Sequence, residues 1–376
     1  MFTWCIGSRI ATAFMHIHPT KADRVACMQT ERVTIYDVAR EAGVSPSTVS
    51  RVLSGRSNVN ALTRGRVQAV IDKHNFTPSS LAQGLLQKNT RTLGIILPGV
   101  EHPYYASMFT GAHSEAQRLG YALQLFPIRP QETMTKPFME LIDKRRLDGV
   151  ILSGGVVEAI LNDGLVSQLQ QLLRAIPAVA VCPPIPGLNC INIYSDLTSS
   201  VRQSLRHLYT LGHRRIAFLG GSYESRSAGE RELGFIDEAE HLGLPSRYRN
   251  EAGHSPQAGE TGVIKLLNPL PKGEWPTALL CINDLVALGA MRQLRRMQIN
   301  IPAEMAIVGC DNQFFSSYTC PPLTTVDLHP DEHGRAAIQQ LVSSIGREHI
   351  TFSQLQPATL IVRESCGAAL GFRKFP

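Results

Sequence analysis

A small all-α module followed by a two-lobed α/β body is the fold class that this 376-residue chain predicts. Three observations lead there. A pair of short amphipathic helices about a tight turn occupies residues 33–53. From Thr92 onward, short apolar strands alternate with longer helices in two successive series. The positive charge of the chain is concentrated in the first of these regions.

The helix pair reads VTIYDVAREAGVSPSTVSRVL. Ile35, Val38, Ala39 and Ala42 recur at i, i+3, i+4 and i+7, an apolar stripe on one helix face, and Thr34 and Asp37 stand at capping-box spacing before it. Gly43 supplies the left-handed stop. Ser45 restarts a helix as N-cap with Pro46 in the first turn, where a missing N–H costs nothing, and Val49, Val52 and Leu53 form the next stripe. Pro46, Ser47, Ser50 and Arg51 are left facing outward: small hydroxyls that allow close approach, and an arginine able to bond a phosphate or a guanine. Any small helical bundle contains such hairpins, so the rest of the chain has to decide what this one does.

Charge begins to decide it. Between Arg32 and Arg91 nine basic residues stand against three acidic ones, a surplus equal to the whole formal charge of +6. A basic module on a neutral body is the footprint of a nucleic-acid binder, because only the module has to face phosphate. After the turn-forming cluster Ser54-Gly55-Arg56-Ser57-Asn58, a third helix is expected from about Leu62 to Asn75. Its Leu62, Val67, Val70 and Ile71 close a three-helix core, with Phe76 as a final plug, and Thr63, Arg64 and Arg66 near its start can reach phosphates. The stretch from Pro78 to Lys88 has Ser79 as a cap, but Gly84 weakens it by about 1 kcal/mol relative to alanine. So short a helix forms only against a partner; otherwise the stretch is a plain linker.

In the body, strands are expected at Leu93–Pro98, Tyr121–Phe126, Gly149–Ser153 and Ala178–Cys182, with helices at Tyr104–Leu119, Thr135–Arg146 and Glu158–Arg174 between them. A second series follows at Ile191–Tyr194, Arg215–Gly220, Ala278–Ile282 and Ala306–Gly309, and a last strand-like run spans Leu355–Val362. Two doubly wound lobes fit this better than one very wide sheet, and a ligand belongs in the crevice at the strand carboxyl ends.

Several classes are excluded or disfavoured. No apolar run approaches the length of a membrane span. There is no phosphate-binding loop, dinucleotide fingerprint or metal-ligand cluster, so no cofactor is expected, and the twelve histidines are scattered. The eight cysteines form no C-x-x-C pair and several sit in strand-like runs, which reads as buried reduced thiols and fits a cytoplasmic protein. Residues 1–31 read as a disordered extension or an over-called start, with Met28 as the alternative initiator. A sugar-binding receptor without DNA function is the competing class for the body alone, and the basic helix pair weighs against it.

Ordered blocks along the chain carry a family resemblance. TIYDVAREAGVSPSTVSRVL, Thr63-Arg64-x-Arg66-Val67 and Pro78-x-x-Leu81-Ala82-x-x-Leu85 are followed by Thr92-Leu-Gly-Ile-Ile, Pro103-Tyr104-Tyr105 and Asp148-Gly149-Val150-Ile151. Leu211-Gly212-His213-Arg214-Arg215-Ile216-Ala217, Arg231-x-x-Gly234-Phe235, Asn283-Asp284-x-x-Ala287-x-Gly289, Val308-Gly309-Cys310-Asp311 and Pro321-Pro322-Leu323-Thr324-Thr325 continue the series. From about Val33 to Glu364 the chain resembles the lactose-repressor/galactose-repressor (LacI/GalR) family of bacterial transcription regulators.

The resemblance implies a helix-turn-helix DNA-binding domain (32–76), a hinge helix and linker (77–91), and a two-lobed periplasmic-binding-protein-like (type I) effector and dimerisation domain (92–365) with a tail (366–376). Lobe 1 is expected at about 92–192 and 326–354, and lobe 2 at about 193–325 and 355–365, the chain crossing three times. It implies a repressor of carbohydrate-utilisation genes that reads a pseudo-palindromic operator in double-stranded DNA as a homodimer. Contacts with DNA are implied for Thr34, Tyr36, Ser45, Pro46, Ser47, Ser50, Arg51, Asn58, Thr63, Leu81 and Leu85, the last as a wedge in the minor groove. Arg51 serves either as a base reader or as a phosphate clamp. Effector contacts are implied for His102, Tyr104, Tyr105, Cys182, Arg231, Asn283 and Asp311, a set suited to a sugar, a sugar acid or a sugar phosphate. Structural alternatives stand beside them: Tyr104 or Tyr105 as a helix cap against the sheet, Arg231 as an interlobe salt bridge, and Asp284 as an N-cap. Gly84 and Leu86 depart from the family's hinge, and Cys182-Pro183-Pro184 departs from it where relatives tend to place a polar ligand contact. The short stretch after Val362 has no leucine heptads, so a dimer rather than a tetramer is expected.

Overall fold

The computed structural model describes residues 33–53, 59–74, 76, 90–128, 147–162, 166–185, 187–221, 225–251, 253–347 and 351–370. The expectations for the N-terminal extension, the hinge with Leu81 and Leu85, Asn58, and the helix Thr135–Arg146 lie outside these residues. The chain forms two compact units, 1–88 and 89–376.

The first unit is a three-helix module. Helix α1 (Ile35–Ala42) starts in a full capping box: the Thr34 side chain accepts from the Asp37 N–H, and the Asp37 carboxylate accepts from the Thr34 N–H at 3.0 Å. It stops at Gly43, whose φ of 64° is in the left-handed region. Helix α2 (Pro46–Leu53) follows, with Ser45 Oγ accepting from the Thr48 N–H at 3.3 Å. Helix α3 (Ala61–Lys73) starts one residue earlier than expected because Asn60 caps it, its Oδ1 accepting from the Thr63 N–H at 2.8 Å. Val38, Val49 and Val67, fully buried, form the centre of the core, and Phe76 packs against it. Leu62 is not part of it. It is 84% exposed, because five residues before Val67 it sits about 140° around the helix from the core-facing stripe. Glu41 pins α1 to α3, its two oxygens each 2.6 Å from Lys73 Nζ and His74 Nε2.

The second unit holds two six-stranded sheets. Strands β1 (Thr92–Leu97), β2 (Ala122–Pro127), β3 (Gly149–Ser153), β4 (Ala178–Val181), β5 (Ile191–Ser195) and β11 (Ser353–Gln356) make lobe 1 in the order β11-β5-β4-β3-β1-β2, all parallel. Strands β6 (Ile216–Gly220), β7 (Arg249–Glu251), β8 (Ala278–Cys281), β9 (Ala306–Cys310), β10 (Thr324–Asp327) and β12 (Thr359–Ile361) make lobe 2 in the order β12-β10-β9-β8-β6-β7, parallel except for β12. Parallel strands buried on both faces need helical crossovers. These are α4 (Pro103–Arg118), α5 (Gly154–Asn162), α6 (Val166–Ala175) and α11 (Pro330–Ser344) in lobe 1, and α7 (Leu197–Thr210), α8 (Arg226–His241), α9 (Pro256–Leu267) and α10 (Asp284–Arg296) in lobe 2.

Three sequence readings change here. Ile191–Tyr194, read with the second series, is β5 of lobe 1. The single run Leu355–Val362 is split by Pro357 between β11 in lobe 1 and β12 in lobe 2, and β10 places 324–327 in lobe 2. The crossings therefore fall just after Ser195, at Leu328 and at 357–358. Both sheets use the same kind of apolar strand, so composition does not assign a strand to its sheet. Finally, Glu158–Arg174 is two helices, α5 and α6.

Within each lobe one helix pair packs at backbone contact. A Cβ on Gly289 of α10 would lie 1.8 Å from the Pro256 carbonyl oxygen at the start of α9, and one on Gly111 of α4 would lie 2.0 Å from the Asp331 carbonyl oxygen of α11. These close approaches need glycine at those two positions. No helix among the described residues is long and apolar enough to cross a membrane.

Candidate functional site

In the helical module the outward face of α2 is built by the same periodicity that buries Val49 and Val52. Ser47, Ser50 and Arg51 lie at i, i+3 and i+4 on the opposite side, with Ser47 and Arg51 exposed and Pro46 and Ser50 half-buried. Ser45 Oγ lies 2.8 Å from Ser47 Oγ and 2.9 Å from Thr48 Oγ1, so the hydroxyls at the helix start are held in one cluster. Thr34 and Tyr36 stand at the start of α1, Tyr36 67% exposed, and Thr63 is in the first turn of α3. Asn58, Leu81 and Leu85 are outside the described residues.

In the body, the strand carboxyl ends of both lobes open onto one cavity of ≈ 570 Å³. All seven residues singled out there line it: His102, Tyr104 and Tyr105 at the start of α4, Cys182 after β4, Arg231 on α8, Asn283 after β8 and Asp311 after β9. Cys182 is a buried thiol pushed up to about 12 by desolvation, and therefore a neutral wall. His102 caps α4, its Nδ1 3.3 Å from the Tyr104 N–H.

One assignment at the cleft changes, that of the cap, and the interlobe salt bridge offered as an alternative for Arg231 is not formed. Asn283, not Asp284, is the N-cap of α10, its Oδ1 accepting from the Val286 N–H at 2.8 Å. Its Nδ2 donates to the His254 carbonyl at 3.1 Å and lies 3.3 Å from His102 Nε2, across the lobes. Asp284 is fully buried and accepts from the Gln313 N–H, Ser316 Oγ and Thr325 Oγ1 at 2.6–2.7 Å. Arg231 does not pair across the cleft; the carboxyl beside it is Asp311 of its own lobe, 3.9 Å away, and its Nε has no hydrogen-bond partner although buried.

Asp311 is presented by a strained turn. Its φ is 104° and that of Asn312 is 46°, both in the left-handed region that side chains other than glycine avoid. Asn312 holds the turn, donating from its N–H to Thr325 Oγ1 at 3.2 Å and from Nδ2 to Asp327 at 2.9 Å while accepting from Arg363 at 2.7 Å. Burial pushes the Asp311 carboxyl up to about 8, against the pull of Arg231. A carboxyl raised in this way keeps its proton in the folded chain where the unfolded chain has lost it. Between about pH 4 and pH 8 it makes stability fall as pH rises. Thermal unfolding of the full chain and of Asp311→Asn across that window is therefore expected to show wild type losing ground by up to about 1 kcal/mol per pH unit. A gap that stays flat with pH would refute the buried acid.

Among the lining groups not found from the sequence are Glu158, Ser195, Ser225, Ser227, His254 and His333. Ser195 Oγ donates to the Leu328 carbonyl at 3.1 Å, so its lone pair receives His333 Nε2–H at 3.1 Å, leaving His333 Nδ1 to accept from the Tyr104 hydroxyl at 3.4 Å. This relay joins a cleft tyrosine to two of the three interlobe crossings. Desolvation lowers His102, His254 and His333 to about 4, so all three are neutral at pH 7. Among the described residues no group of His, Cys, Asp and Glu could hold a metal ion.

Comparison with known proteins joins the two units. Residues 34–79 match the model of bacterial regulatory proteins of the lacI family, and residues 205–366 match a periplasmic binding protein-like domain. The chain is 30% identical to catabolite control protein A of Priestia megaterium over 339 residues, 89% of this chain and 99% of that protein. It is 30% identical to the HTH-type transcriptional repressor PurR of Haemophilus influenzae over 90% of this chain and 99% of the relative. Against the HTH-type transcriptional repressor CytR of Escherichia coli the figures are 28%, 90% and 98%. Among solved structures, the lac repressor dimer bound to operator and the anti-inducer ONPF superposes with a TM-score of 0.77 at 26% identity, covering 89% of this chain and 99% of that one. With both units matched and relatives at this identity aligned over almost their whole length, the chain belongs to the lacI family of bacterial regulatory proteins, DNA-binding transcriptional regulators and not enzymes.

Proposed function

We propose that the protein represses carbohydrate-utilisation genes, binding a pseudo-palindromic operator as a homodimer in the bacterial cytoplasm, and that a small sugar-like effector in the interlobe cleft controls it. The observation that carries the effector half is the buried Arg231–Asp311 pair, with Arg231 Nε unpartnered, in a cavity also lined by Tyr104 and Tyr105. Arginine, carboxyl and amide groups around an aromatic wall are the donor and acceptor set that vicinal hydroxyls need. A solved lac repressor bound to ONPG, 27% identical to this chain, supports a small-molecule ligand.

Thr34, Tyr36, Ser45, Pro46, Ser47, Ser50, Arg51, Asn58 and Thr63 would meet DNA from the module, and Leu81 and Leu85 from the hinge, Leu85 as the wedge in the minor groove. Ligand binding would act by changing lobe closure and hence the spacing of the two hinges, and linkage requires operator DNA to change effector affinity by the same factor. A thermal-shift screen of sugars, sugar acids, sugar phosphates and nucleosides tests the reading. A specific sugar-class hit should raise the melting temperature and alter operator retention in a gel-shift assay. Hits confined to nucleosides would refute the sugar class.

A further inference from the structure

The first turn of α8 and the side chain one turn further along it form a cationic corner of the cleft. Ser225 is the N-cap, the N–H groups of the first turn have no partners within the helix, and Arg231 follows, buried beside them with its Nε unpartnered. A helix start next to an arginine is where the phosphate or carboxylate of a ligand would be drawn.

That seat is already taken by the protein. Glu158, on α5 of the opposite lobe, accepts from the Ser227 N–H through Oε1 at 2.9 Å and from Ser225 Oγ through Oε2 at 3.0 Å. Both carboxylate oxygens are engaged on the helix start. Resting on the effector-cleft reading above and narrowing it, we propose that Glu158 is a built-in anion that clasps the two lobes together and makes the cleft selective for an uncharged effector, a neutral polyol rather than a sugar acid or sugar phosphate.

The charges around the cavity agree. Among the described lining residues Arg231 is the one permanent cation, and it is opposed by Glu158, while the Asp311 carboxyl beside it, raised to about 8 by burial, is mostly uncharged at pH 7. The three lining histidines are held neutral by burial and supply no positive charge at pH 7. An incoming anion would have to displace Glu158 or lie beside it in a poorly solvated site, and either is costly. A neutral polyol meets no such barrier, since the unpartnered Arg231 Nε and the Asp311 carboxyl can take its hydroxyls directly.

Inorganic phosphate is the probe. The full chain, Glu158→Gln, Glu158→Ala and Ser225→Ala are compared by thermal shift and titration calorimetry with millimolar phosphate at constant ionic strength. The basic module contributes equally to all four, so the difference from wild type is the readout. Both Glu158 variants are expected to bind phosphate roughly tenfold or more tighter than wild type. Ser225→Ala, which loosens the clasp but keeps the carboxylate, is expected to gain nothing. Wild type and the Glu158 variants responding alike, or Ser225→Ala gaining as much as they do, would overturn the proposal. So would a wild-type screening hit confined to phosphorylated or acidic sugars. Failure of wild type to bind any DNA would instead count against the regulator reading and leave the phosphate comparison intact.

Discussion

Asp284→Ala is expected to cost on the order of 3–5 kcal/mol of stability and to abolish effector binding, although Asp284 does not line the cleft. The carboxylate is fully buried at the start of α10. Its Oδ2 accepts from the Gln313 N–H at 2.7 Å and Ser316 Oγ at 2.6 Å, and its Oδ1 accepts from Thr325 Oγ1 at 2.6 Å. It thereby ties α10 to β10 and to the turn after β9. The packing is close enough that a Cβ on Gly309 would lie 2.2 Å from Oδ1.

Removing it strands three buried donors at roughly 1–3 kcal/mol each. Part of this is offset, because Asp284 carries a burial cost of its own: desolvation pushes it up to about 6 in spite of the hydrogen bonds from Ser316 and Thr325. The functional loss follows from Asp311. Its left-handed backbone is held in place by the turn that Asp284 anchors through Gln313, and released from that anchor it relaxes to an ordinary conformation with its carboxyl out of position. Asp284→Asn keeps one accepting oxygen and should lose less. Urea unfolding of the three proteins, with binding of the screened effector as second readout, decides it; an alanine variant within about 1 kcal/mol of wild type would rule out the anchor.

Local signals were the legible ones. Thr34 and Asp37, Gly43 and Ser45 act over three or four residues, and the caps and stop they announce are all present. The seven cleft residues are named from the family resemblance, not from periodicity, and the parallel sheets account for their meeting, since such a sheet delivers its strand ends to one edge wherever the strands lie in the sequence. What could not be read is settled by neighbours far along the chain. Ile191–Ser195 belongs to lobe 1 because it pairs with β4 on one side and with β11, more than 150 residues later, on the other. Asn283 and Asp284 are both plausible caps locally, and only the three donors brought from Gln313, Ser316 and Thr325 decide between them. Glu158 reads as a solvated charge on a helix until the opposite lobe is in view. One signal could have found it: a carboxylate in the helix directly after Ser153 stands at the same strand edge as the rest of the cleft.

A chain beginning at Asn89 is expected to fold, to keep its cleft and to lose all operator affinity. The body has hydrophobic cores of its own in both lobes and is a compact unit from Asn89 onward. The cut has to leave Thr90 and Arg91 in place, since Asp148 accepts from the Thr90 N–H at 2.8 Å, Thr90 Oγ1 at 3.1 Å and the Arg91 N–H at 2.7 Å, and a start after Arg91 would strand that carboxylate. What leaves with residues 1–88 is the reading face of α2 and most of the basic surplus. DNA binding by the full chain should therefore weaken steeply with salt, by roughly 0.9 log units per log unit of salt for each phosphate neutralised. Arg51→Ala divides the two roles open to that side chain. As a base reader its loss costs about 1–3 kcal/mol and relaxes the preference at one operator position. As a phosphate clamp its loss weakens all sequences equally and lowers the salt slope by about one. Gel shifts over a salt series, with the operator and a scrambled duplex, separate these outcomes. Operator binding by the body alone would mean that the DNA-reading surface lies elsewhere in the chain.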